Sequence, residues 1–155
     1  MNRGLEAGEQ ERIEMILYQD KLVVETGGRG TIEVTSELAA IVAESSVYSG
    51  LAHIFLQHTS ASLMLTENAD ATVRQDLEKL FSRWVPDGDP AYRHNYEGDD
   101  DMSAHARSVL TTSQLSVPII EGKLGLGTWQ GVFLWEHRTG VFQRSIIVTV
   151  QGEMF

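Results

Sequence analysis

Polar and apolar positions along the chain mark out short strands and two or three helices. Residues 15–19 and 21–25 read as two short strands, closed by the turn Thr26-Gly27-Gly28-Arg29-Gly30. Leu38, Ile41 and Val42 then recur at helical spacing, with Thr35 or Ser36 as the cap and Glu37 in the favourable first turn. Residues 51–56 form an apolar run that reads as a strand buried on both faces. It passes directly into Gln57-His58-Thr59-Ser60-Ala61-Ser62. The spacing of Val73, Leu77, Leu80, Phe81 and Trp84 predicts a helix over 70–84. Asp70 caps it, and Pro86-Asp87-Gly88-Asp89-Pro90 ends it. Residues 86–101 are polar and turn-rich, and a short helix follows over 103–110 with Ser103 as its cap. Residues 116–121, 126–135 and 144–151 are rich in β-branched and aromatic side chains, with Gly122-Lys123-Leu124-Gly125 as a hairpin connection. Strands at both ends with helices between them imply an α+β, predominantly antiparallel β fold. The expected form is a sandwich-like or roll-like single domain over residues 1–155 with the helices packed outside.

Composition narrows the chemistry. The 155 residues carry 12 basic and 22 acidic side chains, a formal charge of −10, which disfavours a nucleic-acid binder because such proteins need a basic footprint. Cysteine is absent, which excludes thiol nucleophiles, disulfides and thiolate metal sites. Residues 1–15 contain Glu6, Glu9, Glu11 and Glu14 and no apolar run, unlike a secretory leader. No segment approaches the roughly 20 apolar residues that span a bilayer. The expected location is the cytoplasm, with no membrane partner.

Five histidines are the first candidates for chemistry, since imidazole binds metals and titrates near neutrality. His53 lies between Ala52 and Ile54 inside the apolar strand and reads as structural. His137, in Glu136-His137-Arg138 after a strand end, reads as an idle residue of an exposed turn. His58, His94 and His105 sit in polar contexts. Three imidazoles, or two and a carboxylate, hold a divalent ion with a position left open. The acidic run from Glu97 is not a calcium loop, because its sixth and twelfth positions are Met102 and Ser108 rather than Gly and Glu. Gly125-Leu126-Gly127-Thr128-Trp129-Gln130-Gly131 reads as a glycine-interrupted strand, suited either to close approach of a ligand or to a bulge or subunit contact. In it Thr128 and Gln130 face one side and Trp129 the other. The phosphate-loop pattern and the Gly-x-Ser-x-Gly elbow are both absent.

Taken together, several blocks resemble the YjbQ family, also called the secondary thiamine-phosphate synthase family. They are Gln57-His58-Thr59-Ser60-Ala61-Ser62-Leu63, Glu67-Asn68 with Asp70, Tyr96-Glu97-Gly98 with Asp99-Asp100-Asp101-Met102, Ala104-His105, and Gly127-Thr128-Trp129-Gln130-Gly131. The similarity runs from about residue 13 to 153. It implies a β-rich domain assembled as a homotrimer, with a weak, secondary thiamine-phosphate synthase activity that joins a pyrimidine pyrophosphate to a thiazole phosphate. The family's polar positions fall on His58, Thr59, Ser60, Ser62, Glu67, Asn68, Asp70, His94, Glu97, Asp100, His105, Thr128, Trp129 and Gln130. Thr66, Asp101 and Ser103 depart from it, standing where Asn, Asn and Pro are more usual.

The resemblance favours a zinc or magnesium site built from His58, His94 and His105. Glu97, Asp100 and Gln130 are the expected catalytic residues. Thr59, Ser60, Ser62, Asn68, Thr128, Trp129, Arg138 and Arg144 are the expected substrate contacts. Both substrates are polyanions, and like charges 4 Å apart repel by about 4 kcal/mol at an effective dielectric of 20, so a metal or the two arginines must intervene. Metal-assisted hydrolysis of a small molecule, with Glu97 as base, and a non-catalytic metabolite- or metal-binding trimer are the alternatives.

Overall fold

Strand β1 (Met15–Gly27) opens the computed structural model, which describes residues 14–154. The expectation that no secretory leader occupies the amino terminus falls mostly on residues outside those described. Strand β8 (Val141–Met154) pairs with β1 along its whole length, from Met15↔Glu153 to Gly27↔Val141. The two short strands expected at 15–19 and 21–25 are therefore one. Asp20 and Lys21 do not break it, because consecutive strand residues point to opposite faces and a continuous ladder outweighs local polarity.

Strands β3 (Val47–Leu56), β5 (Gln114–Ile120) and β6 (Lys123–Leu124) complete a five-stranded sheet of order β1-β8-β3-β5-β6. Gly50 and Gly152 face each other in the β3–β8 pair, and a Cβ on Gly50 would lie 2.1 Å from the Gln151 carbonyl oxygen. Only glycine allows this approach. Residues 51–56 are not buried on both faces: Ala52, Ile54 and Leu56 point into the core, while Phe55 is exposed. His53 sits half-buried on that outer face, its Nδ1 3.1 Å from Ser116 Oγ. A hairpin turn is present, but at 121–122 rather than 122–125: Glu121 (φ 52°) and Gly122 (φ 74°) have left-handed backbone, and Lys123–Leu124 pair with Ile119–Ile120 as β6.

A second sheet is formed by β2 (Gly30–Glu33), β7 (Gln130–Glu136) and β4 (Ala61–Glu67), in the order β2-β7-β4. β4 was not expected from the sequence, and β7 begins four residues later than the run 126–135. Residues 127–130 form a turn, closed by Gln130 N–H to the Gly127 carbonyl at 3.0 Å. Trp129 and its neighbours are therefore not alternating strand residues. The core lies between the two sheets, where Ile146, Val148 and Val150 of β8 pack with Leu63, Val132 and Leu134 of the smaller sheet.

Helix α1 (Thr35–Glu44) adds Leu38, Ile41 and Val42 to that core. Its N-cap is Val34, not Thr35 or Ser36. The Thr35 hydroxyl instead accepts a hydrogen bond from Val132 N–H at 2.9 Å. Helix α2 (Ala71–Trp84) has the expected cap: the Asp70 carboxylate accepts from Thr72 N–H at 2.9 Å. It packs on β7 through Phe81 and Trp135, whose rings are 4.8 Å apart. Of its expected stripe only Phe81 is buried, and Trp84 is exposed. Helix α3 (Asp101–Leu110) starts two residues before the expected position, with Asp100 as N-cap. Ser103 lies inside the helix, buried, with its hydroxyl donating to Asp87 and to the Asp100 carbonyl.

Candidate metal centre

α3 packs against β4, so its first turn meets the β3–β4 connection and the segment after β7. Asp101 and His105 are four residues apart and share one side of the helix. His105 Nε2 lies 3.4 Å from Asp101 Oδ1, and His94 Nε2, from the loop before the helix, lies 2.7 Å from Asp101 Oδ2. The two imidazole rings are 5.4 Å apart. One ligand atom from each of the three residues falls within 4.8 Å of the others.

Two details make this cluster more than a surface contact. His105 Nδ1 is 2.9 Å from the Thr59 carbonyl, which only accepts, so Nδ1 carries the proton and Nε2 of the neutral ring presents a lone pair. Asp101 is 1% exposed, yet its Oδ2 has no aligned hydrogen-bond donor among the described residues despite the nearness of His94. A buried carboxylate oxygen without a donor is costly unless something positive meets it. Two imidazole nitrogens and one carboxylate oxygen are the donor set of zinc and related transition ions rather than of magnesium. The residues present fit such an ion.

Arg138 surrounds the other side of this group. Its Nε donates to Asp100 Oδ2 at 3.0 Å, one terminal nitrogen to Asp101 Oδ1 at 2.9 Å, and the other to the Glu97 carbonyl at 2.8 Å. Asp100 also accepts from Thr139 N–H at 2.8 Å and from the Thr139 hydroxyl at 3.1 Å. Burial alone raises the Asp100 pKa, but the Thr139 and Arg138 hydrogen bonds outweigh it and hold the group at about 2. Asp100 is thus ionised, with all three bonds on Oδ2. The Glu97 carboxylate is 69% exposed and 3.8 Å from Arg138. Farther back, Arg29 donates to the His137 carbonyl at 2.9 Å and forms two 2.8 Å bonds to Asp87, which anchor the start of the acidic loop.

The remaining expected site residues divide into two groups. His58 is not in the His94–Asp101–His105 cluster. Its Nε2 accepts from Ser145 N–H at 2.8 Å, and its Nδ1 lies 3.3 Å from Arg144. Burial and the Arg144 charge hold His58 below the usual imidazole range. Arg144 itself is buried, donating to Glu136 at 2.7 Å and to the Ser60 hydroxyl at 3.0 Å. Ser62 is wholly buried, 2.8 Å from His137 Nε2. His137 is likewise buried and not in an exposed turn, because Trp135, Ser62 and the arginines close over it. These residues form a polar layer behind the cluster, and Thr59, between His58 and Ser60, is exposed.

The other group lies at the opposite end of the β4–β7 pair. The register runs from Ala61↔Glu136 to Glu67↔Gln130, a separation of about 20 Å at roughly 3.4 Å per residue. Asn68, Thr128, Trp129 and Gln130 gather there. Asn68 N–H donates to the Trp129 carbonyl at 3.1 Å, and the Gln130 side chain accepts from Gly127 N–H at 2.8 Å. Trp129 is 64% exposed. Within one chain these residues do not reach the histidine cluster. Asp101 as a third ligand was the main residue missed from sequence, although its spacing from His105 on a helix was a usable signal.

Comparison with known proteins agrees with this architecture. The family described as UPF0047 protein YjbQ-like matches residues 20–153. A UPF0047 protein of Synechocystis is 50% identical over 137 residues, covering 88% of this chain and 93% of that protein. UPF0047 protein YjbQ of Escherichia coli O157:H7 is 47% identical over 137 residues, covering 88% and 99%. Among solved structures, a YbjQ-like protein of unknown function from Sulfolobus solfataricus superposes with a TM-score of 0.83 at 27% identity, covering 90% of this chain and 100% of that one. A conserved hypothetical protein from Thermus thermophilus gives 0.76 at 35% identity, covering 84% and 98%. The chain belongs to the UPF0047 YjbQ-like family.

Proposed function

We propose that this chain is a cytoplasmic, homotrimeric enzyme that uses a divalent metal on small phosphorylated molecules, with thiamine-phosphate synthase as a weak, secondary activity. The observation that carries the metal reading is the buried Asp101 Oδ2, without an aligned donor among the described residues and 2.7 Å from His94 Nε2, beside a His105 whose tautomer Thr59 sets. A divalent ion there would supply the positive charge that polarises phosphate oxygens and eases their departure. The family resemblance, not the geometry, supplies the choice of substrates.

In the transfer reaction the carbon–oxygen bond to pyrophosphate breaks, and the thiazole nitrogen forms a bond to the same carbon. No proton moves in that step, so the chain's task is to hold the two rings together and screen charge. Asp100, held ionised by Arg138 and Thr139, serves as a strut rather than a base. Trp129, Thr128, Asn68 and Gln130 lie at the far end of β4–β7. In this reading they touch the same substrate only from a neighbouring subunit. The exposed Glu97 carboxylate at the rim supports a second reading, metal-assisted hydrolysis with Glu97 accepting a proton.

The test is metal content followed by turnover. Protein purified without a histidine tag and incubated with zinc should hold roughly one ion per chain. His94→Ala, His105→Ala and Asp101→Asn should each lose it. Wild-type protein that stays metal-free would overturn the reading. With the metal in place, thiamine phosphate formed only when both substrates are present supports the synthase. Phosphate or pyrophosphate released from one substrate alone supports hydrolysis. Saturable binding with no product leaves a binding protein in place of an enzyme.

A further inference from the structure

Asp101 has two oxygens, and the structure treats them differently. Oδ1 accepts from Arg138 at 2.9 Å and lies 3.4 Å from His105 Nε2, while Oδ2 has no aligned donor among the described residues and lies 2.7 Å from His94 Nε2. We infer that Arg138 is a positioning residue that restricts Asp101 to a single coordinating oxygen, Oδ2, and so keeps coordination positions open for substrate. The inference rests on the metal reading above and concerns how its carboxylate ligand is held.

Three features of the guanidinium support it. Its planar fork reaches Asp100, Asp101 and the Glu97 carbonyl at once, spanning the whole entry into α3. Its own backbone N–H is fixed to Glu136 Oε1 at 3.0 Å, and its guanidinium lies 5.3 Å from the Phe142 ring centre, so it is held from behind. Asp100 is its charge partner, and that carboxylate is locked by Thr139, which leaves the guanidinium little freedom to turn toward solvent. Arg138 is expected from the sequence to contact substrate, and three of its N–H groups meet protein oxygens. A lysine in its place presents one compact ammonium and cannot bridge three separate acceptors in fixed geometry. Hydrogen-bonded partners of this kind orient a metal ligand and change its affinity by about 10–100-fold.

The experiment uses the full chain loaded with Co²⁺, read by chelator competition and by its visible ligand-field spectrum. Arg138→Gln and Arg138→Lys should each weaken Co²⁺ binding by about 10–100-fold. Both should also shift the spectrum toward that of a higher coordination number, because Asp101 becomes free to bind through both oxygens. Asp100→Asn, which loosens the clamp without removing the guanidinium, should move both readouts in the same direction by a smaller amount. It also keeps the test valid if the arginine variants do not fold. Folded variants with unchanged affinity and spectrum would overturn the inference and leave the metal centre standing. Wild-type protein that takes up no Co²⁺ would overturn the metal reading, and the inference with it.

Discussion

A neutral imidazole enclosed beside guanidinium groups is stable at neutral pH and increasingly costly to keep neutral as acid is added. His137 is in this position: burial first, then the charges of Arg107, Arg29 and Arg144, bring its pKa from 6.5 down to about 3. Between those values the unfolded chain binds a proton that the folded chain refuses, so stability falls as pH is lowered through that window. The slope approaches about 1.4 kcal/mol per pH unit. The full contribution is present above pH 6.5. Urea unfolding at pH 7 and pH 5 should therefore show wild-type protein losing about 2 kcal/mol more than His137→Gln, with Gln keeping a partner for Ser62. Equal losses would move the effect to other groups. Asp100 acts at lower pH with the usual carboxylate sign. Its stabilisation is present above about pH 4 and is lost as the group protonates toward about 2.

Among the elements, α2 and α3 differ in how their ends are made. α2 is capped locally, since Asp70 accepts from both Thr72 N–H and the Thr72 hydroxyl. Asp70→Ala should cost about 1 kcal/mol in thermal or urea unfolding; no loss would show that α2 is held by its packing alone. α3 has no side-chain cap. The carboxylate of its N-cap, Asp100, is taken by Arg138 and Thr139, nearly forty residues away in sequence. Its start was therefore misplaced, because the local rule looks for a capping hydroxyl and found Ser103. The same reason hid β4. Ser62 faces a buried His137 and not solvent, so the expected alternation of polar and apolar positions does not hold there. Helix stripes and β-branched runs are local signals; caps and strands completed by distant partners are not.

For the whole molecule, two groups of site residues at opposite ends of one strand pair become one site only if copies of the chain meet. Light scattering on the purified protein should give three times the chain mass of 17.2 kDa; a single-chain mass would end the trimer reading. Co-expression tests the shared site directly. A variant lacking His94 and His105 and one lacking Trp129 and Gln130 should each be inactive alone. Mixed trimers should recover part of the thiamine-phosphate synthase activity. No recovery, in mixed trimers shown to form, would place the substrate site within one subunit.

The sequence by itself determined the fold class, α2 with its cap, a hairpin turn near Gly122, the apolar strands that meet in the core and the family. Each of these is written in near neighbours, through helical spacing, turn residues or a linear motif. It also singled out His94 and His105. Tertiary structure alone decided that His58 and Arg144 belong to a buried polar layer and that Arg138 meets Asp100, Asp101 and the Glu97 carbonyl. It likewise placed His137 in the interior and Trp129 far from the histidines. Burial and charge pairing are set by residues that arrive from elsewhere in the chain, and here those partners are 37 to 87 residues apart. No local pattern of charge or hydropathy encodes contacts at that separation.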